Sequence, residues 1–264
     1  QVSPGGATFE EMCGQALCRL FGFGPRAEAT FMYAGTYANQ EAVYLALHRA
    51  AERLGFDLAK LGLAGFGVVS RPAVLASADA HFSIRHAVRM LGLGEDGLIL
   101  VPTDGNMRMD VEALRTAIAA LGPRRRAACV VATAGTTSTG AVDPIDGIAD
   151  VCEKEGIWLH VDGAYGLAYA LTPECRALFS GAERADSAVW DPHKQAGVPI
   201  PNSVLFLREG ENFRRMALHA AYFNRPGESA PDPGLKSPPS TRMFSALALA
   251  ASLRRQGLAR FVER

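Results

Sequence analysis

Ala127-Ala128-Cys129-Val130-Val131-Ala132-Thr133 carries no charge, and neither does Ile157-Trp158-Leu159-His160-Val161 until Asp162 ends it. Between them stand Asp143-Pro144, an amphipathic stretch through Glu155, and Gly156. An unbroken apolar run of this length is the mark of a strand buried on both faces. Proline at the first helical position is pre-set for the helix, and glycine just past the end admits the left-handed cap. The reading is strand, helix, strand, and it decides the fold class.

Working outward, the same alternation recurs. Phe31–Ala34, Ala73–Ser77, Leu98–Val101, Ser187–Trp190 and Ser203–Leu207 read as further strands, which makes seven. Helical spacing covers Asn39–Arg53 and His81–Leu91, and Asp110 caps a helix through Leu121. Alternation of this kind implies an α/β fold, a mostly parallel seven-stranded sheet with helices on both faces. The connection Asp191–Asn202 is too short for a helical crossover, so one strand is expected to be antiparallel. Phe223–Ser240 is rich in Pro, Gly and Ser and is expected to form a long mobile loop.

Composition narrows the function class. The 264 residues carry 48% hydrophobic and 20% charged residues with a formal net charge of zero, so no nucleic-acid or membrane partner is expected. Arg124-Arg125-Arg126 is the one basic run and reads as a solvated loop after Gly122-Pro123. No apolar run approaches the roughly 18 residues of a membrane span, and no signal peptide is read at the start. The five cysteines form no C-x-x-C pair, which fits a reducing cytoplasm, and no metal site is expected. Beginning at Gln1 and breaking off within a helical pattern, the chain is expected to be part of a longer protein.

In an open α/β sheet, ligands bind beyond the C-terminal ends of the strands. Gly35-Thr36, His81, Gly135-Thr136-Thr137, Asp162 and His193-Lys194 all fall at such ends. Of the four lysines, Lys60, Lys154 and Lys236 lie on helix surfaces or in the loop, and only Lys194 directly follows an apolar strand. Partial desolvation there makes an amine a better nucleophile toward an aldehyde. Asp162 is costly to bury without a cation, and a protonated pyridine nitrogen is one such partner. His81 offers a ring to stack and a nitrogen for a proton. Gly35-Thr36 opens a helix, where amides and the helix dipole receive a phosphate. Taken singly, each also fits a plain role: surface lysine, turn aspartate, helix-start histidine, ordinary turn. Together they meet the four needs of pyridoxal 5'-phosphate (PLP): anion cradle, stacking group, pyridinium partner and Schiff-base lysine.

Ala132-Thr133-Ala134-Gly135-Thr136-Thr137, Gly140-Ala141-Val142-Asp143-Pro144-Ile145, Trp158-Leu159-His160-Val161-Asp162-Gly163-Ala164-Tyr165, Ala185-Asp186-Ser187 and Asp191-Pro192-His193-Lys194 follow one another in this order. Together with Ala80-His81-Phe82-Ser83-Ile84-Arg85-His86-Ala87 and Gly35-Thr36-Tyr37-Ala38-Asn39, they resemble the group II PLP-dependent amino-acid decarboxylases. That family includes the aromatic-amino-acid, tyrosine, glutamate and 2,4-diaminobutyrate decarboxylases.

The resemblance implies a PLP-dependent transferase type I fold, an amino-acid substrate and a homodimer, with residues 1–264 as the PLP-binding large domain. The family's N-terminal segment and C-terminal small domain are then absent from this chain. By the same resemblance Lys194 forms the Schiff base, Asp162 pairs with the pyridinium, His81 stacks on one face of the ring and Ala164 packs on the other. Thr137 lies near the ring, and Gly35, Thr36 and His193 contact the phosphate.

Three positions depart from the pattern. Gln195 follows the lysine where the family has a bulky residue. Asp191 stands where many members have Asn, a change the tyrosine-decarboxylase branch often shares; a carboxylate repels phosphate, so it is expected to face elsewhere. No tyrosine occurs between Phe223 and Arg264; Pro233 falls near the place of the family's loop tyrosine, and Tyr222 is the nearest substitute. Three outcomes stay open: decarboxylation to an amine, an oxidative or lyase variant of the same PLP chemistry, and a PLP-binding chain without turnover.

Overall fold

The computed structural model describes residues 3–68, 70–217, 219, 232–239 and 241–262. Its strands are β1 (Glu28–Met32), β2 (Arg71–Ser77), β3 (Leu98–Val101), β4 (Arg125–Thr133), β5 (Trp158–Asp162), β6 (Ser187–Trp190) and β7 (Ser203–Leu207). The helices are α1 (Pro4–Leu20), α2 (Gly35–Arg53), α3 (Leu58–Leu61), α4 (Phe82–Met90), α5 (Val111–Ala119), α6 (Ile145–Glu155), α7 (Pro192–Gln195), α8 (Ser245–Gln256) and α9 (Leu258–Val262). The seven strands form one sheet in the order β1-β7-β6-β5-β4-β2-β3. Strand β7 runs antiparallel to both neighbours, and the other pairs are parallel. The expected single antiparallel strand is therefore β7.

Successive side chains of a strand point to opposite faces, and β4 shows what that requires here. Val130 and Ala132 join α1, α5, α6 and α8 in one core through Leu17, Leu114, Ile148 and Leu249. Cys129 and Val131 join α2 and α4 in the other through Ala42, Leu45, Ile84 and Val88. Both faces are covered, which is why the run 127–133 carries no charge. Each fully buried Val or Leu in these rows contributes about 1.5–3 kcal/mol relative to exposure. Trp158, fully buried on β5, carries the Arg49 guanidinium 4.6 Å from its ring centroid.

The local signals explain most boundaries. Asp110 caps α5 by accepting from Glu112 N at 2.8 Å and Ala113 N at 3.1 Å. Gly156 ends α6 in the left-handed conformation at φ 66°. Several boundaries differ from expectation, and pairing accounts for the clearest of them. Strand β1 begins at Glu28 because its pairing with β7 extends from Glu28↔Leu207 to Met32↔Ser203. Ala34 is therefore free to act as the extended N-cap of α2, which starts at Gly35, as the helix opening expected at Gly35-Thr36 implies, ahead of the periodic stretch from Asn39. Arg125 and Arg126 belong to β4, not to a loop, because Arg71 and Pro72 of β2 pair with them.

The expected loop at 223–240 lies outside the described residues for 223–231 and 240, as does Tyr222. Its described part is anchored. Lys236 Nζ pairs with Glu11 at 2.5 Å and Glu28 at 2.8 Å, and Ser237 Oγ donates to Glu41 at 3.0 Å. Just beyond, Arg242 donates to the Phe31 carbonyl at 2.7 Å and pairs with Glu10, tying this segment to β1 and α1.

Candidate active site

The sheet aligns the C-terminal ends of its parallel strands, and the register sets Thr133 of β4 beside Asp162 of β5. A cavity of about 230 Å³ opens there. Gly35, Thr36, His81, Thr137, Asp162, Ala164, His193 and Lys194 all line it. Asn39, Ser83, Thr133, Tyr165 and Asp191 line it as well. A larger cavity of about 760 Å³ between α2, β1 and residues 237–242 lacks this convergence of amine, carboxylate and imidazole. Chemistry rather than size selects the site.

Each wall has a local cause. The first amides of α2, at Gly35 and Thr36, have no carbonyl behind them within the helix. A Cβ on Gly35 would meet the two Asp191 carboxylate oxygens at 2.8 and 2.9 Å, so this close approach requires glycine. The turn after β4 is held by a second close approach. A Cβ on Gly166 would sit 2.2 Å from the Ala134 carbonyl, whose oxygen accepts from Gly166 N at 3.1 Å. That packing brings Thr137 and Tyr165 to the same cavity.

Asp162 is buried and accepts from Asn39 Nδ2 at 2.8 Å and Ala164 N at 3.2 Å. Desolvation raises its pKa, and these hydrogen bonds and the Lys194 charge offset only part of that. A carboxylate in this state would be relieved by a cation in the cavity. His81, the N-cap of α4, turns Nδ1 toward Ser83, whose Oγ is 2.9 Å away and whose backbone N–H donates at 3.3 Å.

Lys194 lies on α7 with about a third of its side chain exposed, and its Nζ is 3.1 Å from Asp191 Oδ2. Asp191 Oδ1 accepts from Ser203 Oγ at 2.6 Å, and His193 Nε2 is 3.6 Å from Oδ2. The expectation that Asp191 faces elsewhere is thus corrected. It is buried at the cavity wall because Lys194, His193 and Ser203 all engage its carboxylate.

Sequence reasoning missed Asn39 and Ser83. The signal was present in the periodicity. Asn39 shares a helix face with Ala42, Val43 and Ala46, so a polar residue sits on the buried stripe and requires partners. Asp143, read only as a helix opener, accepts from Met109 N at 2.6 Å and Thr133 N at 2.7 Å, clamping the end of β4 without entering the cavity.

Residues 10–264 match the model of the pyridoxal-dependent decarboxylase conserved domain. The chain is 37% identical over 260 residues to an L-2,4-diaminobutyrate decarboxylase of Rhizobium meliloti, covering 97% of this chain and 49% of that protein. It is 34% identical over 213 residues to a cysteine sulfinic acid decarboxylase of Rattus norvegicus, covering 80% and 42%. The crystal structure of mouse CSAD in apo form superposes with a TM-score of 0.88 at 31% identity, covering all of this chain and 54% of that one. The chain spans about half the length of the two L-2,4-diaminobutyrate decarboxylases it matches.

Proposed function

Because the chain belongs to the pyridoxal-dependent decarboxylase family, we propose that it is the cofactor-holding part of an enzyme that converts an L-amino acid to an amine and CO₂. The fold, a type I fold with its one antiparallel strand, is that of the family's solved members. The observation that carries the reading is a single cavity lined by the Lys194 amine, the buried Asp162 carboxylate, the His81 ring and the start of α2.

That donor set suits PLP. Lys194 is the amine that would hold the cofactor's aldehyde covalently. Asp162 would accept from the ring nitrogen and keep it protonated, which supplies the cation that the buried carboxylate lacks. His81 and Ala164 would flank the ring, with Thr137 beside it. Gly35, Thr36 and His193 would bind the phosphate. When bound, the cofactor supplies a conjugated sink for the electrons released as the bond from Cα to the carboxylate breaks. His81 also offers a nitrogen able to hold a proton close to the reacting carbon.

Relatives are named for 2,4-diaminobutyrate, aspartate and cysteine sulfinic acid. A small charged amino acid is therefore the substrate class to try first. A cytoplasmic homodimer is the proposed working form, by family analogy. No described helix is long and apolar enough to cross a membrane. The oxidative and non-turnover outcomes gain no support from relatives named as decarboxylases. The test is a product screen. The full-length protein with PLP and each common amino acid should release amine and CO₂ in equal amounts. Aldehyde with hydrogen peroxide, or bound cofactor with no product, would overturn the proposal.

A further inference from the structure

We propose that Asn39 is a positioning residue that couples Asp162 to His81, as the junction of a one-way hydrogen-bond relay beginning at Trp158. The roles assigned to Asp162 and His81 rest on the decarboxylase reading; the relay itself rests on distances. Trp158 Nε1 lies 2.8 Å from Ser187 Oγ, and Ser187 Oγ lies 2.8 Å from His160 Nδ1. His160 Nε2 lies 2.8 Å from Asn39 Oδ1. Asn39 Nδ2 branches, 2.8 Å from Asp162 Oδ2 and 2.8 Å from Ser83 Oγ. Ser83 Oγ in turn lies 2.9 Å from His81 Nδ1.

The direction is fixed at the Asp162 end, and the Trp158 end is compatible with it. An indole N–H only donates, so Ser187 accepts from Trp158 and its own proton is available to His160 Nδ1. His160 then carries its proton on Nε2 and donates to Asn39 Oδ1. This leaves the Asn39 amide group to donate to Asp162 and Ser83. The far end selects this arrangement. A flipped Asn39 amide would set its oxygen 2.8 Å from the Asp162 carboxylate, acceptor against acceptor. Ser83, having accepted from Asn39, gives its proton to His81 Nδ1, where the Ser83 backbone N–H also points. The His81 proton therefore sits on Nε2. Complete burial of His160 lowers its pKa to about 3, consistent with a neutral ring.

Two properties of the site follow from one side chain. Asp162 receives a donor that favours its anionic form in a desolvated place, so it can accept from a cofactor ring nitrogen. His81 is held as a donor through Nε2. Neither Trp158, Ser187 nor His160 lines the cavity, so this control lies behind the wall.

The test begins with cofactor-free, full-length protein labelled with ¹⁵N-histidine, its rings assigned through their backbones. Two-bond couplings separate the two tautomers. His160 and His81 are both expected as Nε2–H, and Nδ1–H at either would overturn the relay. Cofactor affinity supplies the second arm. Asn39→Leu keeps the size of the side chain and removes its donor without adding a charge, so PLP should bind about 10- to 100-fold more weakly. Asn39→Ala should lose a similar amount. A merely space-filling Asn39 predicts that Asn39→Leu binds PLP as the wild type does, which would overturn the proposal. Should these variants not fold, the wild-type tautomers still decide. A wild type that never binds PLP would sink the decarboxylase reading instead, while the tautomers would still judge the relay.

Discussion

Lys194 Nζ lies 3.1 Å from Asp191 Oδ2, and Asp191 Oδ1 takes a 2.6 Å hydrogen bond from Ser203 Oγ on the antiparallel strand β7. The amine is thus held from below by a buried carboxylate that is itself fixed to the sheet. Lys194 and Asp191 are one turn apart on the same short element, so the spacing i, i+3 sets their meeting. The strand turning back at β7 is what supplies Ser203.

Lys194→Ala removes the one lysine lining the cavity. Full-length protein with PLP should show a visible absorbance band that borohydride bleaches, and the variant should lack it. Turnover should fall by about 10³-fold or more, the scale seen when a covalent-catalysis residue is lost. A bleachable band that persists in the variant would assign the cofactor to another amine.

Asp191→Asn keeps the size of the side chain and its reach to Ser203 but removes a negative charge from the edge of the proposed phosphate cradle. Like charges a few Å apart in a partly wet site cost about 1–4 kcal/mol. Inorganic phosphate, a probe with no aldehyde, should therefore bind roughly tenfold more tightly to the variant. Weaker binding on titration calorimetry would mean that Asp191 does not face the anion.

His160 gives the chain an acid sensitivity of predictable sign. Burial lowers its pKa from 6.5 to about 3, so between these values the unfolded chain binds the proton and the folded chain does not. Its contribution is fully present above pH 6.5 and is lost as pH falls toward 3. The slope is about 1.4 kcal/mol per pH unit, and the whole window is worth on the order of 5 kcal/mol. Denaturant titrations of His160→Gln, which cannot take up this proton, should show a stability that falls less steeply over the same range. Parallel curves for the two proteins would refute it.

Seven strands were legible because burial on both faces leaves uninterrupted apolar runs, and these survive any uncertainty about loops. Boundaries set by pairing rather than hydropathy were not. Glu28 and Arg125 enter strands because a neighbour offers hydrogen bonds there. The cavity residues at strand ends could be named from topology alone. Asn39 could not, since its partners His160 and Asp162 are more than a hundred positions away in sequence. Asp191 was misread because repulsion from phosphate was weighed without the Lys194 and Ser203 contacts that hold it in place.

Gly35→Ala tests the cradle through a contact that helix propensity would never suggest. On an isolated helix the change is favourable by about 1 kcal/mol. Here the new Cβ would stand 2.8 Å from Asp191 Oδ2 and 2.9 Å from Oδ1, so the carboxylate must swing away from Lys194 and Ser203. PLP affinity should fall by about tenfold, the scale of a lost charge-assisted hydrogen bond. Asp191→Ala removes the group that is struck. Added to that background, Gly35→Ala should cost little further affinity, giving a strongly non-additive double-mutant cycle. A further tenfold loss on that background would show that the glycine serves the phosphate directly and that its closeness to Asp191 is incidental.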